Sequence, residues 1–319
     1  MGAPSPAVAE GAPSTGDLAL YQAIVEQMRA GRGYYPAAHD LMVANGYGTL
    51  SVFNWRMPLL MEAVSLLPSL LWAQVVLIGM AIGAAALAGR LCWNTGGWPL
   101  AGPVLALLVL GLAGCLPQNA ILFAEIPAGV LILGSAALYG LGRPWWGAGV
   151  AALALLVREL AGIYVLVCIY RAARGRRFAE LGFWLAVLLA YAGYFAWHYG
   201  QVQTHIGAND PGYSQGWLQW GGIGFWLTTA SFNGVFLLLP VWVTALVLPL
   251  GVLGLLAWPG RNGAWLSLGV LAFLMFMGAV GKPFNAYWGA LYTPMLTVGL
   301  GWAGFALRDL VVATRSGAR

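Results

Sequence analysis

The sequence predicts an all-α protein, a polytopic transmembrane helical bundle with further helices lying at its external interface. Of its 319 residues, 61% are hydrophobic and only 8% are charged, whereas soluble domains carry about 25% charged residues. The mean hydropathy of +0.78 is correspondingly high. The basic residues also fall in short loops between apolar stretches, as the positive-inside rule expects of membrane proteins.

The composition also bears on partners and cofactors. The net charge of +5 is explained by arginines in loops, so we expect membrane lipids and no nucleic acid as partners. The three cysteines, Cys92, Cys115 and Cys168, are isolated in or beside apolar segments and predict neither a disulfide framework nor a metal site. No cofactor is therefore predicted, although assistance by a divalent metal stays open. The 16 tryptophans suit interfacial anchoring and also sugar stacking.

The first part of the chain divides into a tail and an outer layer. Residues 1–16 are small and Pro-rich, so we expect a disordered tail. Residues 17–67 predict external interfacial helices. Leu20, Ile24 and Met28 have helical spacing, with Asp17 at the expected N-cap and Gly31 at the expected C-cap.

Two further short helices are predicted in this outer layer. The first is stopped by Asn45-Gly46, and the second lies in FNWRMPLLMEAVSLLP, which is too short to cross a membrane. Nothing before residue 17 resembles a signal that could translocate this layer. We therefore expect either that an N-terminal span is missing from this chain or that the N-terminus is translocated without a signal.

Residues 68–319 predict a transmembrane bundle of eight or nine helical segments, since a crossing needs roughly 20 apolar residues. The expected apolar stretches are 68–89, 98–116, 120–141, 146–170, 179–199, 236–257, 264–280 and 288–306. The arginine cluster at 171–177 should be cytoplasmic, and 200–235 should be an external loop that contains an interfacial helix.

The positive-inside rule is violated if the stretch 146–170 crosses the membrane once, because Arg143 would then be external. It holds if the chain turns at Arg158-Glu159 and forms a half-deep hairpin whose arms are too short to span. The turn would then line a wet cavity in the outer half of the protein, where non-helical backbone is tolerated. The alternative is one long, tilted helix with an internal Arg–Glu ion pair.

Ionisable side chains collect on the predicted external side. A carboxylate there could take a proton from a hydroxyl, and arginine or lysine could hold a phosphate leaving group. The candidate substrate-binding residues are Tyr21, Arg56, Glu125, Arg158, Glu159 and Lys282. Other roles stay open for each of them: Arg158 could only pair with Glu159 or Glu125, Lys282 could snorkel, and Tyr21 could simply pack.

On three short motifs the chain resembles the GT-C superfamily of membrane glycosyltransferases, which use polyprenyl-phosphate sugars. The motifs are GDLALY at 16–21, FNWR at 53–56 and VREL at 157–160. The resemblance implies a GT-C-like fold and a catalytic base in the first external loop, at Asp17. It also implies inverting transfer of a sugar, mannose or arabinose among them, to a glycan, lipid or protein acceptor. In the superfamily a transmembrane helix precedes that aspartate, whereas no apolar stretch precedes Asp17 in this sequence.

Two other functions compete with the glycosyltransferase reading. The first is a membrane transporter or lipid flippase, although we find no internal repeat of the kind that many transporters show. The second is a non-catalytic assembly subunit that binds an enzyme or a lipid. For the enzyme we expect an integral protein of the bacterial inner (cytoplasmic) membrane, with its active site facing outside.

Overall fold

The computed structural model describes residues 16–212, 219–281 and 283–317. Within these ranges the chain forms thirteen α-helices, joined in places by 3-10 turns, and no β-strand. The helices are α1 (Asp17–Arg29), α2 (Tyr34–Ala44), α3 (Pro58–Ser65), α4 (Leu70–Gly96), α5 (Trp98–Gly111), α6 (Glu125–Gly140), α7 (Pro144–Val157), α8 (Gly162–Arg174), α9 (Phe178–His205), α10 (Gly222–Ser231), α11 (Val241–Ala257), α12 (Arg261–Ala279) and α13 (Thr293–Gly317). Most of the tail predicted to be disordered, residues 1–15, lies outside the described residues.

Five helices are long and apolar enough to cross a membrane. They are α4, α5 with the 3-10 turn that extends it to Cys115, α9, α12 and α13. Three shorter apolar helices, α6, α7 and α11, accompany them. These helices indicate an integral membrane protein and confirm the all-helical class that the composition predicts.

Side-chain contacts fix the direction in which the helices run. Ala84 and Leu91 of α4 approach Gly134 and Gly140 of α6 in the same order, so these two helices are parallel. The start of α7 returns beside the end of α6, where Ser135 Oγ donates a 2.7 Å hydrogen bond to the Gly147 carbonyl. The bundle therefore has two distinct ends, one at the start of α6 and one at its end.

The two ends differ in charge. At the end of α6, Arg171 of α8 lies over the rings of Tyr139 and of Trp265 at the start of α12. We call this the basic end, because seven of the 14 arginines in the sequence lie there, in turns or in the end portions of helices: Arg90, Arg143, Arg171, Arg174, Arg176, Arg177 and Arg261. The opposite end, at the start of α6, also holds the short helices α1 to α3, and we call it the site end.

The chain turns at Arg158-Glu159, as the hairpin hypothesis predicts. Arg158 is extended (φ −148°, ψ 120°) and is followed by a 3-10 turn over Glu159–Ala161. Arg158 pairs with Glu125 at the site end, whereas Arg171 donates to the Tyr139 carbonyl at the basic end. The arms α7 and α8 are therefore antiparallel. Each is about 20 Å long, which is short of a bilayer core of about 30 Å, and the single-helix alternative is wrong.

The ends of α1 correct the sequence reading in detail. Asp17 is the first helical residue, and the N-cap is Gly16, which has no side-chain cap. The predicted N-cap role of Asp17 is therefore wrong. The C-cap is Ala30, and Gly31 follows it with φ +88°, a conformation that suits glycine. Helix α2 ends as predicted, since Gly46 adopts φ +76° directly after its C-cap.

Helix α9 continues to His205, so the predicted external loop 200–235 begins within a helix. Further on, α10 provides the helix expected inside that region. Residues 213–218 of the region lie outside the described residues.

Close backbone contact joins α11 to α13. A Cβ added at Gly299 would lie 2.1 Å from the Gly251 carbonyl oxygen, and one at Gly254 would lie 1.9 Å from the Gly299 carbonyl oxygen. Small residues allow helices in membranes to approach at this distance. The α11–α13 contact therefore has no room for a methyl group.

Gly299→Ala should destabilise the protein by about 1–3 kcal/mol, because the added methyl meets backbone that cannot rotate away. Gly304→Ala on the same helix is the matched control, since a Cβ there meets nothing within 4 Å and alanine favours helix. Unfolding of the detergent-solubilised variants by sodium dodecyl sulfate, followed by circular dichroism, measures both. Equal stability of the two variants would contradict the packing argument.

Candidate functional site

Four charged side chains from three separate parts of the chain meet at the site end. We call them the ion cluster: Arg56, Glu125, Arg158 and Glu159. At its centre, Glu125 Oε1 lies 3.1 Å from Arg56 Nη1 and 2.7 Å from Arg158 Nε. Arg158 Nη1 also donates to Glu159 Oε1. The structure therefore brings together four of the predicted substrate-binding residues.

The ion cluster is largely closed to solvent. The Glu125 side chain is fully buried, whereas those of Arg56 and Arg158 are 9% and 6% exposed and that of Glu159 is 26% exposed. Burial of a lone charge would cost several kcal/mol, so such charges occur in compensating groups. Two guanidinium groups and two carboxylates balance here, and Glu159 is the member that solvent can reach.

Local sequence explains how each member is placed. Glu125 opens α6, where the positive end of the helix dipole favours a carboxylate. Arg158 is the extended residue between α7 and α8. Arg56 lies in an extended segment just before α3, whose start is fixed by Pro58 at the first helical turn. Each charged group thus lies at a helix boundary, where the backbone direction changes.

Two tyrosines contact the Arg56 guanidinium, and a third binds the Arg56 backbone. Its Nε donates to Tyr21 Oη at 2.8 Å and its Nη2 to Tyr287 Oη at 3.4 Å, and both rings lie within 6 Å of the guanidinium carbon. Tyr34 Oη donates to the Arg56 carbonyl at 2.6 Å. Burial by itself would lower the pKa of Arg56, but Glu125 and the tyrosines outweigh it and raise that pKa. Arg56 is therefore held firmly as a cation.

Asp17 lies at the same end of the protein as the ion cluster. It precedes Tyr21 by four residues on α1, so the two side chains share a helix face. Its Oδ1 accepts a 3.1 Å hydrogen bond from Tyr47 Oη. Burial is the main cause that raises the pKa values of Tyr21 and Tyr287, and the Asp17 charge contributes to both. Tyr21 is thus hydrogen-bonded to Arg56 and lies on the same helix face as the predicted base.

Several buried polar atoms near the ion cluster have no hydrogen-bond partner among the described residues. They include Glu125 Oε2 and Asn285 Nδ2. Tyr287 Oη, which accepts from Arg56, itself donates to Asn285 Oδ1 at 3.2 Å. Buried polar groups are rarely left unsatisfied, so these two atoms retain unused hydrogen-bonding capacity beside the ion cluster.

Asn285 and Tyr287 are not among the residues predicted from the sequence, although they follow Lys282 in the loop GKPFNAYWG. The sequence did contain an indication of their role, because polar residues occur here between two apolar helices, α12 and α13. Lys282 itself lies outside the described residues. In the described ranges, no group of three or more His, Cys, Asp or Glu side chains could hold a metal ion.

A second polar contact fastens the segment after α9 to the outer helices. His39 Nε2 of α2 lies 2.8 Å from Asp210 Oδ2, and Thr49 Oγ1 donates to the same oxygen at 2.9 Å. The Thr49 N–H donates to the Pro211 carbonyl at 2.8 Å. Burial opposes protonation of His39, but the carboxylates of Asp210 and Asp40 outweigh it and raise the pKa of His39.

Glu125→Gln should destabilise the protein by about 3–5 kcal/mol, because it leaves two buried guanidinium groups without their shared carboxylate. Glu62→Gln is the matched control, since Glu62 is exposed on α3 and such changes stay within about 0.5 kcal/mol. Denaturation by sodium dodecyl sulfate gives both values. A loss no larger than that of the control would mean that the ion cluster does not stabilise the fold.

The contact at Asp210 should weaken as the pH rises. A raised pKa of His39 means that protonation stabilises the contact fully below the unfolded pKa of about 6.5 and that this is lost as pH rises through the folded value. We expect hydrogen-exchange protection of residues 206–212, corrected for intrinsic rates, to fall between about pH 6 and pH 8. His39→Gln should abolish the pH dependence and His205→Gln should keep it; the reverse pattern would exclude His39.

Comparison of the chain with protein-family models, with curated proteins and with solved structures finds no match. The site consists of a buried ion cluster, two tyrosines that contact the Arg56 guanidinium, and a partly exposed aspartate four residues from one of those tyrosines.

Proposed function

We propose that this chain is a GT-C-type membrane glycosyltransferase that moves a sugar from a polyprenyl-phosphate donor to an acceptor hydroxyl, with inversion. One observation carries the proposal. The ion cluster, the 283–291 loop and Asp17 lie at one end of the bundle, although they come from distant parts of the sequence. Acid, base and cation chemistry is thus available in one place, next to apolar helices that suit a lipid carrier.

Asp17 is suited to the role of general base. It forms no ion pair within the described part of the chain, and its side chain is partly exposed. A carboxylate without a cationic partner can accept a proton from an acceptor hydroxyl. The hydroxyl oxygen then bonds to the anomeric carbon while the bond from that carbon to the lipid phosphate breaks, and the phosphate leaves with the bonding electrons.

Arg56 and Arg158 are suited to stabilise the departing phosphate. Both already bind Glu125, and Arg158 also binds Glu159. In this proposal the two glutamates fix the guanidinium groups in position, and the phosphate uses their remaining N–H groups. The described part of the chain shows no hydrogen bond from Arg158 Nη2. Lys282, in the same loop as Tyr287, would add a further cation.

The distribution of arginines supports an extracytoplasmic site. Arginines collect at the basic end, and cytoplasmic loops carry an excess of basic residues. The site end would then face outward, where lipid-linked sugars meet glycan, lipid or protein acceptors. A bacterial inner membrane fits this arrangement.

A second candidate function is a non-catalytic assembly subunit that binds a lipid or an enzyme. The observation that favours it is the pairing of Glu125 with two arginines, since a purely structural ion network has the same contacts. Such a subunit would give no sugar product when purified alone.

Asp17→Asn should lower sugar transfer by about 10²–10⁴-fold, because general-base catalysis contributes this much. Asparagine keeps an oxygen for the Tyr47 hydrogen bond, so the fold should survive. Glu26→Gln, an exposed acid on the same helix, should retain full activity. The assay reconstitutes each protein in liposomes with defined polyprenyl-phosphate sugars and detects the product by mass spectrometry.

Transfer by Asp17→Asn at the native rate would remove Asp17 from the mechanism. Absence of product with every donor, together with a stable co-purifying partner, would favour the assembly subunit. Lipid translocation without any sugar product would favour a flippase.

A further inference from the structure

The basic end contains a surface groove that plays no part in the proposed reaction. It lies between α4, the end of α6 and the start of α7. Its walls are formed by Leu87, Arg90, Leu138, Leu141, Arg143 and Trp146. Two arginines thus share one groove with four apolar or aromatic side chains.

The two arginines of the groove lack counter-charges. Both side chains are exposed, and neither makes an ion pair or side-chain hydrogen bond in the ranges that the structure describes. Arg171 and Arg177 at the same end differ, since Arg171 donates to the Tyr139 carbonyl and Arg177 pairs with Glu180. Two like charges that line one groove repel each other, and an anion between them would remove that repulsion.

Helix α7 begins beside the groove, whose lining includes Arg143 and Trp146. Pro144 opens the helix, so the N–H groups of Trp145 and Trp146 lie in its first turn, where backbone N–H groups have no acceptor within the helix. Such N-termini favour anions. Phosphate is the common anion that accepts several hydrogen bonds from guanidinium groups at once.

The aromatic side chains place the groove at the level of lipid headgroups. Trp145 and Trp146 are 55% and 68% exposed, and Trp93 and Trp98 at the same end of the bundle are 49% and 63% exposed. Exposed tryptophans of a membrane protein concentrate at the boundary between hydrocarbon and water. A ligand in the groove would therefore contact both guanidinium groups and apolar side chains.

We infer that this groove binds an anionic phospholipid of the surrounding membrane. Its phosphate accepts hydrogen bonds from Arg90 and Arg143, and its acyl chains lie along Leu87, Leu138 and Trp146. Basic pockets between transmembrane helices bind anionic headgroups in this way. The site lies at the opposite end of the bundle from the ion cluster, so it does not depend on the proposed glycosyltransferase activity.

Native mass spectrometry of the detergent-solubilised full chain tests this site, with phosphatidylglycerol and phosphatidylcholine as the added lipids. Arg90→Gln/Arg143→Gln should weaken phosphatidylglycerol binding by about tenfold, since two charge-assisted hydrogen bonds are lost. The matched control is Arg174→Gln/Arg308→Gln, which removes the same charge from exposed arginines outside the groove and should bind like the native chain. Circular dichroism without lipid verifies that each variant is folded, and Arg143→Gln alone provides a milder variant.

Three outcomes would overturn the inference. The first is equal phosphatidylglycerol binding by the groove variants and the control. The second is equally tight binding of zwitterionic phosphatidylcholine by the native chain, which would show that the negative charge is not recognised. The third is displacement of the lipid by millimolar inorganic phosphate, which would assign the groove to a free anion.

Discussion

The site end is organised around one buried carboxylate. Glu125 accepts two guanidinium groups that come from before and after it in the sequence, Arg56 and Arg158. Because removal of any partner would leave a buried charge uncompensated, the outer helices, the start of α6 and the α7–α8 turn have to be positioned together. The tyrosines around Arg56 extend the same constraint to α1 and to the 283–291 loop.

This constraint relates stability to the proposed chemistry. A site for an anionic lipid donor needs cations, and cations at membrane depth need carboxylates that keep them in place when no donor is bound. Glu125 and Glu159 meet that need, while Asp17 is left outside the ion pairs of the described chain. In the proposed chemistry the four members of the ion cluster hold the geometry, and Asp17 is the proposed base.

Much of this architecture could be predicted from the sequence, because membrane proteins obey strict rules. The apolar stretches gave the helices, and the placement of arginines required a turn at Arg158-Glu159, which the structure contains. The exact ends of helices were harder to predict. Asp17 has a side chain typical of an N-cap, but it is the first residue inside the helix. Cap geometry depends on backbone angles that residue type alone does not fix.

The contents of the site were predicted less completely than its location. Arg56, Glu125, Arg158, Glu159 and Tyr21 converge in space, but no spacing rule connects residues so far apart in sequence. Asn285 and Tyr287 were missed because asparagine and tyrosine are common in loops. Only the folded structure shows that Tyr287 accepts a hydrogen bond from Arg56 and donates one to Asn285. Contacts between distant segments follow from packing, which a pattern of residue types does not determine.

The α7–α8 hairpin bears on how the protein enters its membrane. Neither arm is long enough to leave the insertion machinery as an independent span, and the turn carries two charges that lipid would reject. However, Arg56 and Glu125, which accompany those charges in the folded state, are synthesised earlier than Arg158. The hairpin can therefore pack against segments that are already inserted, which supply the partners of its charges. Because both ends of the hairpin lie on the same side of the membrane, it does not change the orientation of the transmembrane helices that follow.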